Sequence, residues 1–294
     1  MATNTAPRVW FVTGASSGLG KAVVLQALSK GDKVVATCRK PSSLDEIASK
    51  YASTQLLIIQ LDVASTKDIA PAFDKAVETF GRVDVVYNNA GYAVLGEAEA
   101  VPEDVARRQF DVNFWGVTNV SREAVRVFRE VNKPHGGVLL QASSFAGTMG
   151  MAGIAFYCAS KFALEGYSNA LAKELDPSWN IRVHTLEFGS FDTRAQSTES
   201  YVFCKAHPAY EALPLDSDFR KMRAYLVDTP PVDGDATKAA REVYNISSDK
   251  SIEVTRIPLG LDAIGGYHGI VAETQKILEQ TTRFSADLKY DGRT

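Results

Sequence analysis

Short runs of β-branched and aliphatic residues alternate along the chain with segments whose apolar positions recur every three or four residues. The runs are Val9–Thr13, Lys33–Thr37, Leu56–Leu61, Val83–Tyr87, Val138–Ala142 and Ile181–Leu186. Several are apolar without strict alternation, as expected of parallel strands covered on both faces. Between them lie helical patterns such as Leu19–Lys30, where Leu19, Val23 and Ala27 share one face. A βαβαβ succession of this kind specifies an α/β fold, a doubly wound parallel sheet with right-handed crossovers. Ile252–Pro258 is a weaker candidate for a last strand and Val271–Glu279 reads as helix. The tail over 286–294 is polar and reads as loosely held.

No repeat or low-complexity linker divides the chain, so 1–294 reads as a single domain with one interruption. Over 195–235 the rhythm breaks, and Pro208, Pro214, Pro230 and Pro231 stand among Tyr201, Phe203, Tyr210, Phe219 and Tyr225. A long irregular insertion is a substrate lid, a binding loop or a loosely ordered segment.

Composition narrows the function. Hydrophobic content of 45% and charged content of 23% suit a globular protein with a full core. A net charge of −3 gives no electrostatic case for nucleic acid or an anionic membrane surface. The short polar stretch Met1–Pro7 lacks a signal-peptide core, and no run reaches the ~18–20 apolar residues of a membrane span. The expectation is a cytoplasmic protein. Three scattered cysteines and four histidines without ligand spacing predict neither disulfides nor a metal site.

The first strand runs into Thr13-Gly14-Ala15-Ser16-Ser17-Gly18-Leu19-Gly20. Glycines at such a turn permit a sharp bend, let a pyrophosphate approach the backbone, and let the helix pack close to the sheet. The helix N-terminus then offers free amides and a positive dipole end to phosphate. Gly14, Ser16, Ser17, Gly18, Leu19 and Gly20 are therefore candidate dinucleotide-binding residues. Gly14-Ala15-Ser16-Ser17-Gly18 also fits the G-x-S-x-G elbow of serine α/β-hydrolases, with Ser16 as nucleophile. That motif needs earlier strands for its oxyanion loop and a later histidine, for which His268 is the paper candidate. After the second strand stand Arg39 and Lys40 where NAD-binding proteins place an acid. Arg39 can pair bidentately with a 2′-phosphate, which favours NADP(H) over NAD(H).

Tyr157 and Lys161 lie four residues apart near the start of a predicted helix, so phenol and ammonium can share a pocket. A cation ~4 Å away at an effective dielectric of ~20 stabilises phenolate by roughly 4 kcal/mol, about three pKa units. That brings a tyrosine into the range of a general acid–base.

With these motifs goes a series in fixed order: Leu61-Asp62-Val63, Asn88-Asn89-Ala90-Gly91, Asp111-Val112-Asn113, Ala142-Ser143-Ser144 and Gly189–Thr193. The chain resembles the short-chain dehydrogenase/reductase family from Val9 to about Thr193, in the branch with T-G-x-x-x-G-x-G and Y-x-x-x-K and with a Rossmann fold. The resemblance implies that Tyr157 is the proton donor or acceptor and that Lys161 lowers its pKa and binds the nicotinamide ribose. It implies that Ser144, more than Ser143, bonds the substrate oxygen, and that Asn113 holds a relay water. Asp62 and Val63 would contact adenine, and Asn89, Ala90 and Gly91 the adenosine ribose. Gly189, Ser190 and Thr193 would meet the carboxamide. Here Phe188 replaces the family's usual proline, which predicts a less constrained turn.

Phe145, Met149, Met151, Phe188 and Phe191 flank these residues, with Phe145, Met151 and Phe191 as the substrate candidates. An apolar wall suits a hydrophobic ketone or secondary alcohol, and the pattern is similar to hydroxysteroid- and retinol-dehydrogenase-like members. The resemblance implies a homodimer or homotetramer, and Gly166, Ala170 and Leu171 are compatible with close helix packing. The alternatives are a non-enzymatic nucleotide sensor, from which loss of Tyr157 or Lys161 would be expected, and the hydrolase built on Ser16.

Overall fold

The computed structural model describes residues 6–193, 201–228 and 232–288. Seven parallel strands form the central sheet: β1 (Val9–Val12), β2 (Lys33–Cys38), β3 (Leu56–Gln60), β4 (Val85–Asn88), β5 (Gly137–Ser144), β6 (Ile181–Phe188) and β7 (Arg256–Leu259). Their order is β7-β6-β5-β4-β1-β2-β3, so the direction of winding reverses between β1 and β4. Ligands of such sheets bind at the carboxyl ends of the strands beside that switch point.

Helices cover both faces. On one lie α1 (Gly18–Ser29) and a later helix over Ala236–Ser248, whose Val23, Val24, Ala27, Ala240 and Val243 pack with Trp10, Val12 and Val34. On the other, α2 (Thr66–Phe80) and a long helix over 103–131, α3, bury Ile69, Phe73, Val120 and Phe128 against Phe11, Val35 and Val86. The strands are near-continuously apolar because each residue meets a helix on one side or the other.

Helix α3 is interrupted by a π-helical stretch, Asp111–Gly116. Such stretches insert an extra residue per turn and re-aim the side chains they carry. Helix α4 (Ala155–Glu174) carries Tyr157 and Lys161. The chain closes with α5 (Asp218–Asp228), α6 (the Ala236–Ser248 helix) and α7 (Leu261–Thr281). The expected last strand is present but starts at Arg256, and the expected helix Val271–Glu279 is the second half of the longer α7. Pro258 ended the predicted strand. It is tolerated inside β7 because that strand lies at the sheet edge.

Within the expected insertion, a short strand Tyr201–Phe203 pairs with Ala93–Leu95, beyond β4. Glu97 Oε1 accepts from His207 N at 3.2 Å, and Tyr210 OH donates to Glu99 at 2.6 Å, so the segment is tied to the loop after β4. Residues 194–200 and 229–231 of that insertion, and 289–294 of the tail, lie outside the described residues. No helix among the described residues is long and apolar enough to cross a membrane.

Candidate active site

A cleft of about 1040 Å³ opens along the carboxyl ends of β1, β2, β4, β5 and β6. One end begins at the turn after β1. Gly14 and Gly18 adopt positive φ, at 63° and 54°, the left-handed region open to glycine. Ser17 caps α1 without a side-chain bond and the first turn holds no acid, so the amides and positive dipole end of α1 face the cleft unneutralised. Gly20 lies beneath the turn, not on its surface, and its role is clearance.

Thr13 and Asn89 fasten this turn to the loop after β4. The Thr13 hydroxyl accepts from Asn89 N at 2.9 Å and Ala90 N at 3.0 Å, and Asn89 Nδ2 donates to the carbonyls of Thr13 and Gly14. Asn89 therefore holds the sheet's switch point together while Asn89, Ala90 and Gly91 line the cleft. Arg39, exposed at the end of β2, forms no ion pair among the described residues, and Asp62 and Val63 stand across from it along the same wall.

At the other end, β5 delivers Ser144 and α4 delivers Tyr157 and Lys161. Burial pushes the Tyr157 phenol up to about 12, with the Ser144 hydroxyl as the opposing hydrogen-bond influence. Burial also pulls Lys161 down to about 8, against an opposing attraction from Glu165. Lys161 Nζ donates to the Ala142 carbonyl at 2.7 Å and sits 5.7 Å from the Tyr157 ring centroid. The phenol is thus raised and not depressed, because desolvation dominates. An ammonium has three donors and one is committed to Ala142, which leaves two for groups in the cleft.

Asn113 is brought under Lys161 by the π-helical stretch, fully buried, but its side chain is absorbed by structure. Its Oδ1 accepts from Tyr92 N at 3.0 Å, and its Nδ2 donates to Tyr92 O at 2.8 Å and Ser160 Oγ at 3.2 Å. It does not line the cleft. A Cβ at Gly91 would stand 3.2 Å from Asn113 Oδ1 and 3.7 Å from Lys161 Nζ, so glycine there keeps space beside the ammonium.

After β6, the Phe188–Ser190 turn is not left loose by its missing proline. Asp262, at the start of α7, accepts from Ser190 N at 2.6 Å, and a Cβ on Gly189 would collide with that carboxylate. Gly189, Ser190 and Thr193 all reach the cleft.

Phe145, Met151 and Phe191 form part of its apolar wall; Met149 does not. Phe191 packs edge-on to Phe188 at 5.7 Å. Ile154, Tyr201, Met222 and Tyr225 complete the wall and were not singled out as substrate contacts. Tyr201 and Tyr225 carried a signal as aromatics of the insertion, whereas Ile154 and Met222 carried none. Tyr92 and Arg108, also in the cleft, were missed. No histidine lines the cleft among the described residues, and His268, the candidate partner of Ser16, is exposed on α7. Nor do the described residues contain a cluster able to hold a metal ion.

The chain matches the family model described as short chain dehydrogenase over residues 8–201. It is 42% identical over 200 residues to an uncharacterized oxidoreductase of Schizosaccharomyces pombe, C162.03, covering 68% of this chain and 66% of that one. It is 32% identical over 278 residues to the oxidoreductase BOA17 of Botryotinia fuckeliana, covering 94% and 97%. The crystal structure of a short-chain dehydrogenase from Streptomyces avermitilis superposes with a TM-score of 0.86 at 31% identity, covering 98% of this chain and 100% of that one.

Proposed function

The chain belongs to the short-chain dehydrogenase family and is an NAD(P)-dependent oxidoreductase, and on that premise we propose that it interconverts an apolar ketone and secondary alcohol with NADP(H). The observation that carries this reading is one cleft with the glycine turn and free Arg39 at one end and Ser144, Tyr157 and Lys161 at the other. The cradle fits a dinucleotide: the turn presents unneutralised amides, and glycine at position 91 keeps space beside the Lys161 ammonium.

When bound, the cofactor supplies or accepts hydride at the substrate carbon. The α1 amides hold its pyrophosphate, and Asp62 and Val63 border its adenine. Arg39 selects the 2′-phosphate; an acid there would repel it. Ser144 bonds the substrate oxygen and aligns it with the phenol. In reduction Tyr157 passes its proton to that oxygen as the carbon gains hydride. A phenol near 12 beside an ammonium near 8 is, at neutral pH, already in the proton-donating state. The two uncommitted donors of Lys161 then stabilise the resulting phenolate and the nicotinamide ribose. Phe145, Met151 and Phe191, with Tyr201, Met222 and Tyr225 of the lid, exclude water and favour an apolar substrate.

The test is a panel of apolar ketones of graded size with NADPH and NADH, run on the wild type and on Tyr157→Phe. The variant retains cofactor affinity and loses about 10²–10⁴-fold in kcat. Retention of most of the wild-type rate would remove Tyr157 as the proton donor.

A further inference from the structure

Behind Lys161, away from the cleft, lies a cluster of charged side chains that the proposed reaction does not use. Glu165 follows Lys161 by one turn of α4, so both emerge on one helix face, and both are buried, at 7% and 5% exposure. They converge at Gly147: a Cβ there would lie 3.2 Å from Lys161 Cβ, 3.2 Å from Glu165 Cγ and 3.1 Å from Ser143 Oγ. From β6, Thr185 donates to Glu165 Oε2 at 2.8 Å. Glu187, also from β6 and fully buried, is paired with Arg256 of β7 at 2.6 Å, and Tyr267 of α7 donates to its second oxygen. Arg256 reaches Glu165 as well, at 3.5 Å. Two buried carboxylates thus share one guanidinium, and of the two it is Glu165 whose charge acts on Lys161.

We propose that Glu165 is a positioning residue for the reaction, its buried carboxylate holding Lys161 in the ammonium form that the proton transfer requires. The inference rests on the assignment of Tyr157 and Lys161 above. The sign is fixed by Coulomb's law: a neighbouring anion favours the charged form of an amine, against the desolvation that opposes it. Burial raises the Glu165 pKa and Glu187 adds to the rise, while hydrogen bonds from Ser143 and Thr185 and the Arg256 guanidinium favour the ionised form.

The experiment follows the Lys161 side chain by NMR in protein labelled with [¹³Cε]lysine, its resonance assigned by its absence from Lys161→Met. This reads the ammonium without substrate or turnover, so failure here is distinct from failure of the Tyr157 assignment. The wild-type midpoint falls near 8. Glu165→Gln moves it down by about one to two pH units, and the alkaline limb of kcat/KM for ketone reduction moves with it. Glu165→Asp keeps the charge and restores most of the shift. Glu187→Gln disrupts the same cluster but leaves Glu165 charged, so the midpoint stays in place. An unchanged midpoint in folded Glu165→Gln overturns the proposal, and so does an equal fall in Glu187→Gln. Should Glu165→Gln not fold, Thr185→Val replaces it: loss of the donor to Oε2 weakens the charge and lowers the midpoint by a smaller amount, and no change overturns the proposal.

Discussion

Replacing Gly20 by alanine separates the two demands made on the phosphate turn. In an exposed helix the change stabilises by up to about 1 kcal/mol through helix propensity. At Gly20 the new Cβ would lie 2.3 Å from the Gly14 carbonyl oxygen and 2.5 Å from Asn89 Nδ2. Neither neighbour is the free end of a flexible side chain. One is the turn's backbone, and the other is an amide bonded to Thr13 and Gly14 at 3.1 and 3.2 Å. Forced overpacking costs about 1–3 kcal/mol, and loss of the two amide bonds adds about 1 kcal/mol each. The balance is a loss of roughly 2–4 kcal/mol, a fall in Tm of about 3–7 °C for a chain of this size. Displacement of the turn also spoils the amide cradle, so NADPH affinity falls by about 10–100-fold. Thermal unfolding and a cofactor fluorescence titration measure both. Gly166→Ala is the control, because nothing lies within 4 Å of its Cβ and the helix stays intact. If Gly20→Ala matched that control in Tm and in cofactor Kd, the clearance argument would be wrong.

Arg39→Asp removes a charge-assisted pair and adds repulsion, so the ratio of kcat/KM for NADPH over NADH falls by about 10²-fold or more; an unchanged ratio removes Arg39 as the selector. Lys161→Met abolishes turnover yet narrows a burden on the fold, since Lys161 falls from 10.5 to about 8 on folding. The unfolded chain then binds more protons between pH 8 and 10.5, so wild-type stability rises with pH there by about 3 kcal/mol. Denaturant unfolding at pH 7.5 and 10 shows this rise in the wild type and not in Lys161→Met, and parallel curves would refute it.

The sheet was legible because both faces are covered: Val9–Val12 and Lys33–Cys38 read as apolar runs since nearly every side chain meets a helix. The glycine turn was legible because positive φ and close approach demand glycine itself. What was hidden depends on contacts distant in sequence. Asp262 stands far beyond Ser190 along the chain, and no local pattern shows that it takes over the constraint of a proline. The pairing of the Asn113 side chain with the backbone of Tyr92 was equally hidden, because it joins the π-helical stretch to the loop after β4. Ile154 and Met222 look like ordinary core residues because an apolar substrate wall and an apolar core use the same chemistry.

The expected lowering of the tyrosine pKa is outweighed for a related reason. Four-residue spacing puts both groups on one helix face but says nothing of what that face is pressed against. In the structure it is pressed into protein, and desolvation moves both groups toward neutrality, the phenol upward and the amine downward. A pair in which each ion is disfavoured donates a proton readily only while the lysine remains charged. Whatever keeps the lysine charged therefore matters to the rate, and the anion that acts on it is Glu165. Chemistry at the cleft is in this way tied to the packing of the last strand, whose Arg256 pairs with Glu187 and reaches Glu165.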